Sequence, residues 1–322
     1  MSRQERLSQL RTRQDFHRAN GVLLITREPP PPPPPAAGQP PIVAANPNEG
    51  VEILLAVWAD GSALALHGHV DLGQGIRTAL AQVVAEELDL RMDQVDMVLG
   101  DTARAPNQGP TIASASLQIH ATPLRHAAAQ ARAWLLNEAA ARLGVLPDAL
   151  VVREGVIRVR DADAQAPALH YGELVGARHI ELPLSLQSVV KPVHDYRIVG
   201  QSQARVDIPA KAFGELTFVH DMRVDGMLHG RVVRPPYAGA DHGDFIGNTL
   251  ESVDESSIAH IPGIRAVVVI RDFVGVVADK EEQAELAAQA LVVHWKPWPG
   301  MPSVADTEQA LRNNPATPRR LV

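Results

Sequence analysis

Apolar and polar positions alternate in short blocks along the first half of the chain. Val51, Ile53 and Leu55 fall on every second residue, Asp60-Gly61 carries turn chemistry, and Ala63–Val70 continues extended. That pattern predicts a β-hairpin. The period then changes. Ile76, Leu80, Val83, Val84 and Leu88 share one helical face. Val95–Leu99 predicts a short strand closed by Gly100-Asp101, and residues 103–112 a polar loop. Ser114–Leu143 predicts a long alanine-rich helix, interrupted near Pro123 and stopped at Gly144. Val151–Val159 predicts a second hairpin around Glu154-Gly155. Hairpin, loop, helix, strand, loop, helix is the order of an α+β layer.

Four segments follow. Residues 1–48 are a charged tail of helical character, an apolar run at Gly21–Thr26 and seven prolines, Pro29–Pro35. As polyproline II the prolines reach roughly 22 Å, at about 3.1 Å per residue. A stiff surface strap is the favoured reading over a signalling ligand. Residues 49–190 hold the α+β layer. Residues 191–300 are richer in strands, expected at Phe213–Val219, Met227–Val233, Ile264–Ile270 and Phe273–Ala278. A helix over Glu281–Leu291 then runs into Val292-Val293-His294-Trp295. Residues 301–322 read as a linker.

Composition narrows the classes. The 322 residues are 45% hydrophobic and 21% charged, with net charge -7 and both signs interleaved, so no nucleic-acid surface is expected. No stretch approaches the roughly 20 apolar residues of a membrane span. The basic start lacks a following apolar region of signal-peptide length, which makes the cytoplasm the expected location. There are no cysteines. Disulfides and Cys-ligated iron–sulfur clusters are therefore excluded from this chain.

Two glycine-bearing loops carry the candidate chemistry. Gly73-Gln74-Gly75 runs into the first helix, and Asn107–Ser116 into the second. Helix N-termini with bare N–H groups suit an anionic group. Gly73 and Gly75 let backbone approach a ligand, and Gln74 offers an amide donor and acceptor, a set suited to a planar heterocycle such as a pterin. Ala113–Ser116 supplies consecutive N–H groups with small side chains. Read alone, each loop is a strand-to-helix turn or an N-cap. Their joint order raises the binding reading.

Three segments in order, Gly73-Gln74-Gly75, Gly100-Asp101-Thr102 and Pro110-Thr111-Ile112-Ala113-Ser114-Ala115-Ser116, make the chain resemble the molybdenum-binding subunit of the xanthine dehydrogenase and aldehyde oxidase family. The resemblance implies a molybdopterin dinucleotide with molybdenum, in the cytosine form for a bacterial member. Carried over by position, its contacts are Gly73, Gln74, Gly75, Ala113, Ser114, Ala115 and Ser116, with Thr111 in the same loop. Tyr196–Gly200, Arg205–Lys211, Phe218–Asp221, Gly226–Gly230, Arg234-Pro235-Pro236 and Ile261–Ile264 resemble the family's a/b hammerhead domain. Its position after the cofactor segment resembles the branch containing isoquinoline 1-oxidoreductase and the bacterial nicotinate dehydrogenases.

The family's Gly-Phe-Gly loop and late catalytic glutamate have no counterpart here, and Gly214-Glu215 reads as structural. The expected partners are therefore a [2Fe–2S] small subunit, a C-terminal part of the molybdenum subunit carrying the glutamate, and a cytochrome acceptor. The implied function is hydroxylation of an N-heteroaromatic acid such as nicotinate with water-derived oxygen. Aldehyde oxidation and a non-catalytic scaffold are the alternatives. His67 and His69 share a strand face. They read as packed or surface histidines near a cofactor loop, since no third metal ligand is evident nearby. Glu86 and Glu87 read as a solvated helix end.

Overall fold

The computed structural model describes residues 3–29, 50–163, 165–237, 247–297 and 305–313. Pro30–Pro35 of the proline run lie outside them. The chain divides into two compact units, Met1–Leu216 and Thr217–Val322.

The first unit is built on a five-stranded sheet. Helices α1 (Arg3–Gln9) and α2 (Arg13–Arg18) lead into β1 (Val22–Arg27). Strands β2 (Glu52–Trp58) and β3 (Ala63–His67) form the expected hairpin, and α3 (Ile76–Leu88) crosses over to β4 (Val95–Leu99), parallel to β3. A helix–break–helix follows: α4 (Ala115–Gln118), then α5 (Ala121–Leu143). The break falls before Pro123, which sits in the first turn of α5, where a missing N–H disrupts nothing. Gly144 ends α5 at φ 67°. Strands β5 (Leu150–Arg153), β6 (Val156–Val159) and β7 (Leu169–His170) make a small sheet, and α6 (Tyr171–Val175) leads to β8 (His179–Pro183), parallel to β1. The main sheet order is β4-β3-β2-β1-β8.

Every residue of β2 and β3 is buried, not only the alternating ones. The sheet is covered on both faces. One core packs Leu55, Val57 and Ala65 against Leu80, Val84, Leu124 and Leu135 of α3 and α5. The other packs Ile53, Trp58 and Leu66 with Leu10, just past α1, and Phe16 of α2. Cover on both faces is why these central strands are buried along their whole length and mostly apolar, with Glu52 and His67 the buried polar exceptions.

Glu86 and Glu87 are buried, which corrects the solvated reading. Glu86 Oε2 accepts the N–H groups of Arg197, Ile198 and Val199 at 2.9, 2.6 and 3.0 Å. Burial pushes its carboxyl up, but these three donors and Lys191 outweigh burial and hold it below the usual range. Glu87 Oε1 accepts from Arg125 Nε at 2.7 Å, and Glu87 Oε2 from the Lys191 N–H at 3.0 Å. Residues 191–206 are thereby strapped along α3, inside the first unit.

The expected strand at Phe213–Val219 is replaced by α7 (Ile208–Ala212), a turn with Gly214 at φ 71°, and a single 3₁₀ turn at Val219–Asp221. Asp207 and Pro209 favour a helix start there, and among the described residues no strand pairs with the following apolar residues. In the second unit β9 (His229–Val233) pairs with the edge of a hairpin made by β11 (Ile264–Ile270) and β12 (Phe273–Ala278). β10 (Leu250–Asp254) pairs with β13 (Val292–Trp295). Helix α8 (Glu281–Ala290) closes a small core around Val274, Val276 and Ala287, and α9 spans Thr307–Asn313. The architecture is mixed α and β throughout.

Candidate functional site

Both candidate loops leave the same edge of the main sheet. The first joins β3 to α3, and Asp71 organises it. Asp71 Oδ1 accepts the Gly73 N–H at 2.9 Å and the Gly75 N–H at 3.2 Å, while Oδ2 accepts the Arg77 N–H at 3.1 Å. Burial raises the Asp71 carboxyl, but the backbone donors prevail and hold it below the usual range. Gly73 and Gly75 stand at φ 103° and 82°, conformations that side chains rarely adopt. The Leu72 N–H donates to Gln74 Oε1 at 2.7 Å. Gln74 Oε1 is therefore tied into the loop, and its amide Nε2 has no partner among the described residues. Gly73 and Gln74 are exposed, and Gly75 is buried.

The second loop is stitched to residues 68–70 by four hydrogen bonds. Gly68 N–H donates to Gln108 Oε1 at 2.7 Å, and Val70 N–H to Thr111 Oγ1 at 3.0 Å. His69 Nε2 donates to the Gln108 carbonyl at 3.2 Å, and His69 Nδ1 lies 2.7 Å from Ser116 Oγ. A carbonyl only accepts, so Nε2 carries the proton and Nδ1 of the neutral ring accepts the Ser116 hydroxyl. The side chains of Thr111 and Ser116 are thus turned inward to hold the loop. Ala113, Ser114 and the half-buried Ala115 form its outer turn. Ala113 and Ser114 stand consecutively in the left-handed region, at φ 52° and 56°. Such strain costs roughly 1–2 kcal/mol per residue and collects where a backbone is shaped for a ligand. Among the described residues the N–H groups of Gln74, Ala113 and Ser114 have no acceptor.

Beneath this loop lies a histidine cluster larger than the sequence pair. His120, at the break between α4 and α5, joins His67 and His69, with ring centroids 4.6 Å from His69 and 6.2 Å from His67. Burial, then His69 and His120, push His67 down to about 4. Burial, then His69 and Arg27, also push His120 down. No group of three metal-ligating side chains is arranged for a metal among the described residues. His67 Nδ1 accepts the His69 N–H at 3.1 Å, which leaves its buried Nε2 without a partner, as is Gln108 Nε2.

The His67 shift predicts a pH dependence. A depressed folded value means that the unfolded chain takes up the proton first. Stability is full above pH 6.5 and falls as pH drops toward 4, by about 3 kcal/mol in all. His67→Gln should flatten that limb in urea titrations between pH 7 and 4. An unchanged slope would mean that His67 does not set the acid limb.

The site presents several donors without partners. Two buried orphan nitrogens, the unaccepted N–H groups of the two loops, and open space over Gly73 and Gly109 suit an acceptor-rich, anionic ring system with phosphates. A pterin dinucleotide fits that description. Sequence reasoning missed Asp71, Gln108 and His120. Only Asp71 carried a signal, an acid two residues before Gly73 and four before Gly75, at Asx-turn spacing.

Residues 5–225, which include both loops, match the family model for the molybdopterin cofactor-binding domain, and the chain belongs to that family. It is 59% identical over 271 residues to a nicotinate dehydrogenase subunit of Pseudomonas putida, covering 84% of this chain and 22% of that protein. It is 31% identical over 312 residues to the beta subunit of isoquinoline 1-oxidoreductase from Brevundimonas diminuta, covering 84% of this chain and 38% of that protein. The chain thus spans between about a fifth and two fifths of these relatives. Among solved structures, reconstituted CO dehydrogenase from Oligotropha carboxidovorans aligns with 53% of this chain and 21% of its own, at 24% identity and TM-score 0.34. No described helix is long and apolar enough to cross a membrane.

Proposed function

We propose that this chain is the cofactor-clamping part of a molybdenum hydroxylase, an oxidoreductase acting on an N-heteroaromatic acid such as nicotinate. The observation that carries this reading is the joining of two donor-rich loops by one set of hydrogen bonds, inside the region matched by the family model. The similarity to a nicotinate dehydrogenase subunit supports the substrate class.

Gln74 Nε2 and the N–H groups of Gln74, Ala113 and Ser114 would receive the pterin and its phosphates, in the cytosine dinucleotide form. Ser116 and Thr111 hold the second loop in shape from inside. Bound there, the group supplies two-electron oxidation with oxygen drawn from water. The chain's own residues bind and orient it, and Asp71 keeps the first loop's donors in place.

The general base would lie in a part of the molybdenum subunit outside these 322 residues and the [2Fe–2S] clusters on a small subunit, in the cytoplasm, with a cytochrome as onward acceptor. In this reading the a/b hammerhead-like domain takes in residues 191–300, whose later part, in the second unit, carries a three-stranded and a two-stranded sheet with helix α8.

The test uses the full complex with nicotinate in ¹⁸O-labelled water. The label should appear in the hydroxylated product. Label arriving instead from molecular oxygen, or turnover of aldehydes alone, would overturn the reading.

A further inference from the structure

Thr78, Gln82 and Glu86 recur every four residues, a polar stripe along α3, and each holds the strap. Glu86 binds the N–H groups of residues 197–199, Gln82 Nε2 donates to the carbonyls of Ile198 and Gln201 at 3.0 and 3.2 Å, and Thr78 Oγ1 accepts the Val206 N–H at 3.1 Å. The strap therefore runs from the C-terminal to the N-terminal end of the helix and arrives at the Gly73-Gln74-Gly75 loop. There Arg205 Nη1 donates to the Gly73 carbonyl at 2.9 Å. Its Nε and Nη2 form a two-pronged pair with Asp207, at 3.0 and 2.6 Å, and Lys211 joins the same carboxylate. Arg205 and Lys211 hold Asp207 well below the usual carboxylate range. The Arg205 side chain also lies over Gly75, where an added Cβ would meet Nε at 3.3 Å and Cδ at 3.4 Å.

We propose that Arg205, anchored by Asp207, is a positioning residue for the first cofactor loop. In a trans peptide the C=O of Gly73 and the N–H of Gln74 point in opposite directions. Gripping the carbonyl therefore presents the Gln74 N–H away from the arginine, as a fixed donor. Gly73 has the backbone freedom to let this peptide flip, so without the grip the donor loses its direction. The charged pair is preformed, and Arg suits it because the planar fork serves a carboxylate and a carbonyl at once. The proposal rests on the cofactor reading for its purpose, but the loop's order can be measured separately.

Arg205→Ala and Asp207→Asn are made in the full chain within its native complex. Amide hydrogen exchange is followed over residues 72–77 and over β2 and β3, and pterin content is assayed in parallel. Both variants should speed exchange at 72–77 by about tenfold, the scale of one charge-assisted hydrogen bond, with the strands unchanged. Pterin content should fall with it. Loop exchange within twofold of wild type, or uniform acceleration through the whole unit, would overturn the proposal. If the wild-type complex carries no pterin, the cofactor reading fails, while the exchange result still decides the role of Arg205. Should Arg205→Ala not fold, Asp207→Asn, which keeps the side-chain volume, decides alone.

Discussion

Glu86→Ala is expected to destabilise the first unit by about 3 kcal/mol or more in urea denaturation, among the largest effects of any single replacement here. The carboxylate is buried and serves three consecutive backbone donors. Removing it strands those N–H groups away from water, and each charge-assisted bond carries roughly 1.5–3 kcal/mol. Lys191 keeps Asp89 as a partner at 2.5 Å, so the loss concentrates in the strap. Glu86→Gln should lose less, because the amide oxygen still accepts. The carboxyl lies below its ordinary value of 4.5 in the folded chain. Its contribution is thus complete above that value and disappears as pH falls further. Glu86→Gln should flatten the acid limb below pH 4.5, a window lower than that of His67. A wild-type midpoint in Glu86→Ala would show that the strap contributes nothing to stability.

Gly68→Ala is expected to separate the two candidate loops. A Cβ at Gly68 would lie 2.2 Å from the Pro106 carbonyl and 3.0 Å from the Gln108 nitrogen, both backbone atoms. Something must shift, and the shift breaks the bonds from Gly68, His69 and Val70 to the second loop. The expected result is a loss of about 3 kcal/mol, at the upper end for overpacking, with pterin retention reduced at least ~10-fold. Gly109→Ala is the contrast. Gly109 stands at φ 74° with nothing within 4 Å, so a methyl there adds only conformational strain of about 1 kcal/mol. Equal effects at the two glycines would mean that close approach at Gly68 does not hold the loops together.

The legible parts of this fold are those whose partners lie nearby in sequence. The β2–β3 hairpin, α3 and the two glycine-bearing loops follow from period and turn chemistry within windows of about fifteen residues. Glu86 and Glu87 mislead for the opposite reason. Their backbone donors, at Lys191 and Arg197–Val199, stand more than a hundred residues away, and the Arg125 side chain on Glu87 comes from another helix 38 residues on, so in sequence a buried receptor for backbone donors looks like two adjacent surface acids. The four-residue spacing of Thr78, Gln82 and Glu86 is visible, but only the strap gives it meaning. Phe213–Val219 misleads because its apolar residues are exposed rather than paired, and exposure is invisible to a pattern. At the site, the loops are legible, whereas Asp71, Gln108 and the third histidine are defined by geometry. Gln74 is expected from sequence to offer both an acceptor and donors, and the Leu72 N–H takes the acceptor.

The central claim is that the loops at residues 73–75 and 113–116 hold a molybdopterin dinucleotide. Pterin content per chain, measured on the purified complex as its oxidised fluorescent derivative, tests it most directly when wild type is compared with Gln74→Ala/Ser114→Asp. Both positions are exposed, and aspartate tolerates the left-handed conformation at 114, so the packed core should be unaffected, while Gln74→Ala removes the acceptor of the Leu72 N–H together with the amide donor. Stoichiometric pterin is expected in wild type, with its loss in the double variant, whose new carboxylate faces the expected phosphates. Undiminished pterin in a folded double variant would contradict the claim.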